Sequence, residues 1–133
     1  MAYLLDTNAR IVYPKSAASP IRARLEKLKP ADVFLCSVVK SELLHGAEKY
    51  GNRERRLAIL AETFAPYASL PFDDAAAATY SRIRNELEAA GNVIGPNDLM
   101  IAAIAQTHQL TVVTHNTTEF GRVTGLQIED WQT

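Results

Sequence analysis

The chain has 133 residues, 47% of them hydrophobic and 22% charged, which is the balance of one folded domain of about 1–133 with an ordinary core. A formal net charge of −1 excludes a global positive field that would recruit nucleic acid, so any contact with RNA or DNA has to come from local patches. One cysteine excludes an internal disulfide, and no stretch approaches the ~18 consecutive apolar residues of a membrane span.

The chain opens on Tyr3-Leu4-Leu5, a short buried strand by composition, with Asp6 standing where it ends. A lone buried carboxylate is costly, so Asp6 either N-caps a following helix or faces a counter-charge. Ala9 to Tyr13 reads as a helical turn or two, and the segment between Pro14 and Pro20 as a loop. Ser19-Pro20 is a helix start, and Ile21, Leu25 and Leu28 recur at helical spacing. The opposite side of that helix is basic (Arg22, Arg24, Lys27, Lys29), either a solvated face or a surface for phosphate. Val33 to Cys36 is a second buried strand, with Cys36 as a core thiol. Ser37 is an expected N-cap for a helix over Val38–Lys49, and a further helix over Arg53–Ala65 makes a helical hairpin with it.

Ser69 to Phe72 is extended and suits a sheet edge. Asp73 or Asp74 caps a helix over Ala75–Ala90, which Gly91 ends. The turn Ile94-Gly95-Pro96-Asn97-Asp98 leads into Leu99–His108, apolar on nearly every side and therefore central. Leu110–Thr114 is a β-branched buried strand, His115–Gly121 a loop, and Leu126-Gln127-Ile128 a short apolar tail ending at Trp131. Alternating strands and helices predict an α/β domain: a central, mainly parallel sheet flanked by helices.

In such a fold, ligands collect at the carboxyl ends of the strands. Asp6 ends the first strand, Glu42 lies just over one turn into the helix after the second, and Asp98 lies in the first turn of the central helix. Converging carboxylates repel and stay ionised together only around a cation. An oxygen-only set without Cys or His favours Mg²⁺ or Mn²⁺ over zinc, and such a metal activates water and holds a phosphodiester. The number of metals stays open. Asn8 either orients Asp6 or caps, Thr114 and Asn116 end the last long strand, and Glu119 is a further candidate acid. His45, three residues after Glu42, forms a Glu-x-x-His spacing that has no second copy, so it reads as a surface residue. A phosphoacceptor receiver domain is excluded because no lysine follows Lys49.

Four stretches carry a resemblance: Leu4-Leu5-Asp6-Thr7-Asn8; Ser41-Glu42-Leu43 with His45-Gly46-Ala47-Glu48-Lys49; Ile94-Gly95-Pro96-Asn97-Asp98-Leu99-Met100-Ile101-Ala102; and Val113-Thr114-His115-Asn116-Thr117-Thr118-Glu119-Phe120. Together with Arg122-Val123, Gly125-Leu126 and Ile128-Glu129-Asp130-Trp131, they resemble PIN-domain toxins of the VapC type across nearly the whole chain. The resemblance implies a single PIN-like domain that is a Mg²⁺- or Mn²⁺-dependent endoribonuclease, the toxin of a bacterial toxin–antitoxin pair. It implies Asp6, Glu42 and Asp98 as catalytic and metal-binding acids, with Asn116 or Glu119 at the fourth position. It also implies an RNA substrate such as tRNA (initiator tRNA among the candidates), a VapB-type antitoxin against the Val38–Ala65 hairpin, a homodimer, and operator DNA bound only through the antitoxin. A cytoplasmic location follows, since the first residues lack the basic flank and long apolar run of a signal peptide. The rival readings are a DNA-directed nuclease of the same fold and a non-catalytic PIN-like module that binds metal or a partner.

Overall fold

Each of three strands has side chains that divide cleanly between two cores. In a computed structural model, which describes residues 1–7 and 20–132, strand β1 (Tyr3–Leu5) sends Leu4 to one side and Tyr3 and Leu5 to the other. Strand β2 (Val33–Cys36) does the same with Cys36 against Val33 and Leu35, and β4 (Thr111–Val113) with Val112 against Val113. This period of two, with both faces apolar, is what a buried parallel sheet requires. The sheet has five strands in the order β3-β2-β1-β4-β5, with β3 at Ala68–Leu70 and β5 at Ile128–Glu129, and every neighbouring pair is parallel.

On one face lie α4 (Asp74–Ala90) and α5 (Pro96–Thr107), together with the start of α2 (Ser37–Lys49). Helix α5 is the central one: Ile101, Ala102, Ala103, Ile104 and Ala105 are all fully buried. Its alanines let it lie close against α4 and the sheet. The other face is covered by α1 (Pro20–Glu26) through Ile21 and Leu25, by Phe64 of α3 (Arg53–Phe64), and by Trp131, whose ring meets Tyr3 edge-on at 5.1 Å. Burying a pair of large rings there is worth more than their area alone. Helices α2 and α3 form the expected hairpin, closed by Ala47 and Leu60.

Most expected elements stand within two or three residues of their reading. Asp73 caps α4 by accepting the Ala76 amide at 2.9 Å, and Gly91 ends it at a φ of 70°. Three expectations need correction. Ser37 is the first residue of α2 and not its cap; the capping position falls on Cys36, which makes no side-chain cap bond. The stretch His115–Gly121 is not all loop, because Thr117–Phe120 forms a short helix, α6, which buries Phe120 completely. The apolar tail is an edge strand: Ile128 and Glu129 pair with Val112 and Val113. The readings placed on Asn8, the turns over Ala9–Tyr13, the loop after Pro14 and the Ser19 cap fall outside the described residues. Among the described residues, no helix is long and apolar enough to cross a membrane.

Candidate metal centre at the strand ends

The strand order places the crevice. From β1 the chain moves to β2 and β3 on one side, then returns to lay β4 on the other, so the switch point lies between the carboxyl ends of β1 and β4. Asp6 sits there, only 1% exposed, its amide donating to the Val113 carbonyl at 2.9 Å. Across the switch point, the buried Thr114 hydroxyl donates to Asp6 Oδ2 at 2.7 Å and accepts the Asn116 amide N–H at 2.9 Å. Thr114 thereby fixes the aspartate and the loop after β4 with one oxygen.

Helix α2 begins where β2 ends, and carries Glu42 back over the crevice. Thr7 Oγ1 lies 3.4 Å from Asp6 Oδ1 and 3.2 Å from Glu42 Oε2, linking the first two acids. Glu42 Oε1, in contrast, is buried and makes no well-formed hydrogen bond among the described residues. Burial raises the Glu42 carboxyl above its ordinary range, with the Asp6 charge adding to the rise; Thr7 and Asn97 act in the opposite sense.

The third acid comes from α5, whose first turn holds Asp98 beyond Pro96. Asn116 joins it to Glu119: one amide nitrogen donates to Asp98 Oδ2 at 3.1 Å and to Glu119 Oε2 at 2.8 Å. Both neighbours are acceptors, so the amide presents its NH₂ to them. Glu119 Oε1 accepts the Gly95 amide at 3.3 Å, which ties α6 to the turn before α5. Burial, the hydrogen bond to Glu119 and the Asp6, Glu119 and Glu42 charges push Asp98 up to about 8, whereas Asp98 and Asn116 hold Glu119 below its usual range. The two carboxyls titrate as a pair, in which Asp98 is the one pushed up.

The structure therefore brings Asp6, Glu42, Asp98, Asn116 and Glu119 to one crevice. Asn116 occupies the place where a further acid would make repulsion worse, and it acts as a donor between two acids. Thr7 had no role in the sequence reading, although its place next to Asp6 was a usable signal; Asn97 was missed in the same way. Helix α2 leaves His45 exposed and near Glu48, as a surface histidine should be. Cys36 is buried with its thiol pushed up to about 11 by burial, which leaves it protonated and inert.

The donor set suits a hard divalent cation. A buried carboxylate oxygen without a donor and a carboxyl held protonated by its neighbours both signal negative charge that a cation would settle. Among the described residues, no three His, Cys, Asp or Glu side chains close into a cage. Magnesium-like ions keep several waters, so an acid can hold the ion through a bound water as well as directly.

A parallel sheet with acids gathered at its switch point can hold a cation against a phosphodiester, and comparison with known proteins identifies the class. The model of the PIN domain matches residues 3–126. The tRNA(fMet)-specific endonuclease VapC of Shigella flexneri is 40% identical over 131 residues, 98% of each chain. Among solved structures, the DNA-bound VapBC of Salmonella typhimurium superposes at a TM-score of 0.90 with 37% identity over 98% of both chains. VapBC-1 of nontypeable Haemophilus influenzae superposes at 0.84 with 33% identity over the whole of each. The chain belongs to the PIN-domain family, in its branch of VapC ribonucleases.

Proposed function

We propose that this chain is the ribonuclease toxin of a toxin–antitoxin pair. It cuts structured RNA at the Asp6–Glu42–Asp98–Glu119 crevice with Mg²⁺ or Mn²⁺, in the cytoplasm. The observation that carries the reading is the convergence of these acids on the switch point, with Glu42 Oε1 buried and without a hydrogen-bond partner among the described residues. Full-length likeness to a tRNA(fMet)-specific endonuclease favours initiator tRNA as the substrate. The VapBC complexes among the structural neighbours favour a VapB-type antitoxin as its inhibitor. The α2–α3 hairpin suits that partner, because Leu44 (40% exposed) and Tyr50 (65%) leave apolar surface on it. A homodimer, and operator DNA reached only through the antitoxin, complete the assembly proposed here.

Asp6, Glu42 and Asp98 would hold the metal, which when bound acidifies a water and neutralises charge on the scissile phosphodiester. The protein's own part is preparation. Thr114 and Thr7 fix the Asp6 carboxylate before substrate arrives, and Thr7 also turns Glu42 toward it. Asn116 donates to both Asp98 and Glu119 and so orients the two carboxyls together. This preorganisation avoids reorganisation during the reaction.

The test is RNA cleavage by purified, antitoxin-free protein in Mg²⁺ or Mn²⁺ and in excess EDTA, with Asp98→Asn alongside. Metal-dependent cutting that disappears in the variant is the expected result. A folded wild type that binds metal but cuts neither RNA nor DNA would point instead to a non-catalytic module.

A further inference from the structure

We infer that Arg122 is a substrate-binding residue, holding a backbone phosphate of the RNA strand at the Glu119 edge of the crevice; the inference rests on the ribonuclease reading above. It begins from a charge problem. Four acids meet at the switch point, and the chain's formal net charge is −1, so neither the site nor the whole molecule attracts a polyanion. A cation fixed at the rim would have to offset the repulsion that strand phosphates meet beyond the metal.

Arg122 is placed to do this. Its backbone amide donates to the Glu119 carbonyl at 3.1 Å, in the turn that closes α6, so the two side chains leave neighbouring points of the chain. Both reach the same three-residue segment before α5: Glu119 Oε1 accepts the Gly95 amide at 3.3 Å, and Arg122 Nη1 donates to the Val93 carbonyl at 2.9 Å. The guanidinium therefore lies beside Glu119, and its charge helps to hold that carboxyl low. Arg122 is exposed, and Val93, which it grips, is 60% exposed.

The Val93 carbonyl takes one donor and thereby sets the plane of the group. A guanidinium has five N–H donors in a rigid fork, so others remain for phosphate oxygens. A fork held in advance also loses less entropy on binding than a free side chain. A simple brace between α6 and the 91–95 loop would use the same Val93 bond, and it differs from a phosphate contact in leaving the remaining N–H donors to solvent.

The experiment measures binding of a short fluorescein-labelled single-stranded RNA to the full-length chain in EDTA, where nothing is cut, across a salt series. Wild type, Arg122→Gln and Arg122→Lys are compared, with melting temperatures recorded for each. A phosphate contact predicts that Arg122→Gln binds about two- to fivefold more weakly at moderate salt. It also predicts that the slope of log K against log salt falls by about 0.7 in magnitude, one phosphate's share for a single strand. Arg122→Lys keeps the charge and should keep the wild-type slope, with part of the affinity lost along with the fork. An unchanged slope in Arg122→Gln, or an equal fall in both variants, overturns the inference and leaves Arg122 as a brace. Wild type that neither binds this RNA nor cuts RNA in Mg²⁺ would overturn the ribonuclease reading itself, which the cleavage assay reports separately.

Discussion

The two halves of the acidic crevice solve the same problem by different means. On the β1 side, the Thr114 hydroxyl donates to Asp6 at 2.7 Å, and the Thr7 hydroxyl stands 3.4 Å from Asp6 and 3.2 Å from Glu42. On the α5 side, Asp98 and Glu119 are held by one amide and titrate as a pair, in which Asp98 is the one pushed up. The first half relies on hydroxyl contacts and leaves Glu42 Oε1 without a donor among the described residues; the second sets two carboxyls against a single amide.

That contrast can be broken in order of expected effect. Asp6→Asn removes the most buried acid while keeping its shape, and should lower RNA cleavage by more than about a hundredfold in a protein that still melts cooperatively, since even outer partners of metal ligands cost 10–100-fold. Thr114→Val removes the Asp6 donor and the acceptor for the Asn116 amide; activity or metal affinity should fall about 10- to 100-fold, read as the metal concentration needed for half-maximal cutting. The proton of the α5 half predicts a pH effect. Asp98 holds its proton up to about 8, whereas the unfolded chain gives it up near 3.8, so the folded state binds more protons between those values. Its contribution to stability is thus lost as pH rises from about 4 to about 8. Metal-free wild type should fall in melting temperature over that window relative to Asp98→Asn, whose side chain does not titrate. The smallest effect belongs to the control: His45→Ala, on the exposed side of α2, should leave stability within about 0.5 kcal/mol and leave cleavage unaltered.

How much of this was legible in the sequence follows the same division. Asp6, Glu42 and Asp98 could be grouped because each follows a strongly apolar strand or opens a strongly apolar helix, and burial patterns of that kind survive in a single sequence. The parallel sheet was legible for the same reason. The short elements were not: α6 and β5 have too few residues to show a period, and both exist because Phe120 is buried and Glu129 pairs with Val113. Nor could spacing reveal that Asn116 would donate to two acids or that Thr7 would join Asp6 to Glu42. Those are contacts between segments 18 and 35 residues apart, which only the closed fold defines.

The basic side of α1 also resolves here. Arg22 pairs with Glu26 at 3.2 Å, and Arg24 pairs with Glu129 at 2.8 Å while lying over the Trp131 ring. These exposed pairs contribute little to stability, and they spend two of the four cations on acids of the chain itself. The local positive charge the nuclease needs is better sought at the crevice rim than on that helix.

The most direct test of the account is a calorimetric titration of metal-free protein with Mn²⁺ at pH 7 in two buffers of different ionisation heat. Wild type should bind saturably and release protons, Asp98→Asn should bind without that release, and Asp6→Asn should bind far more weakly. Binding of equal strength in all three proteins, with no proton released, would place the metal elsewhere and contradict the assignment of this crevice.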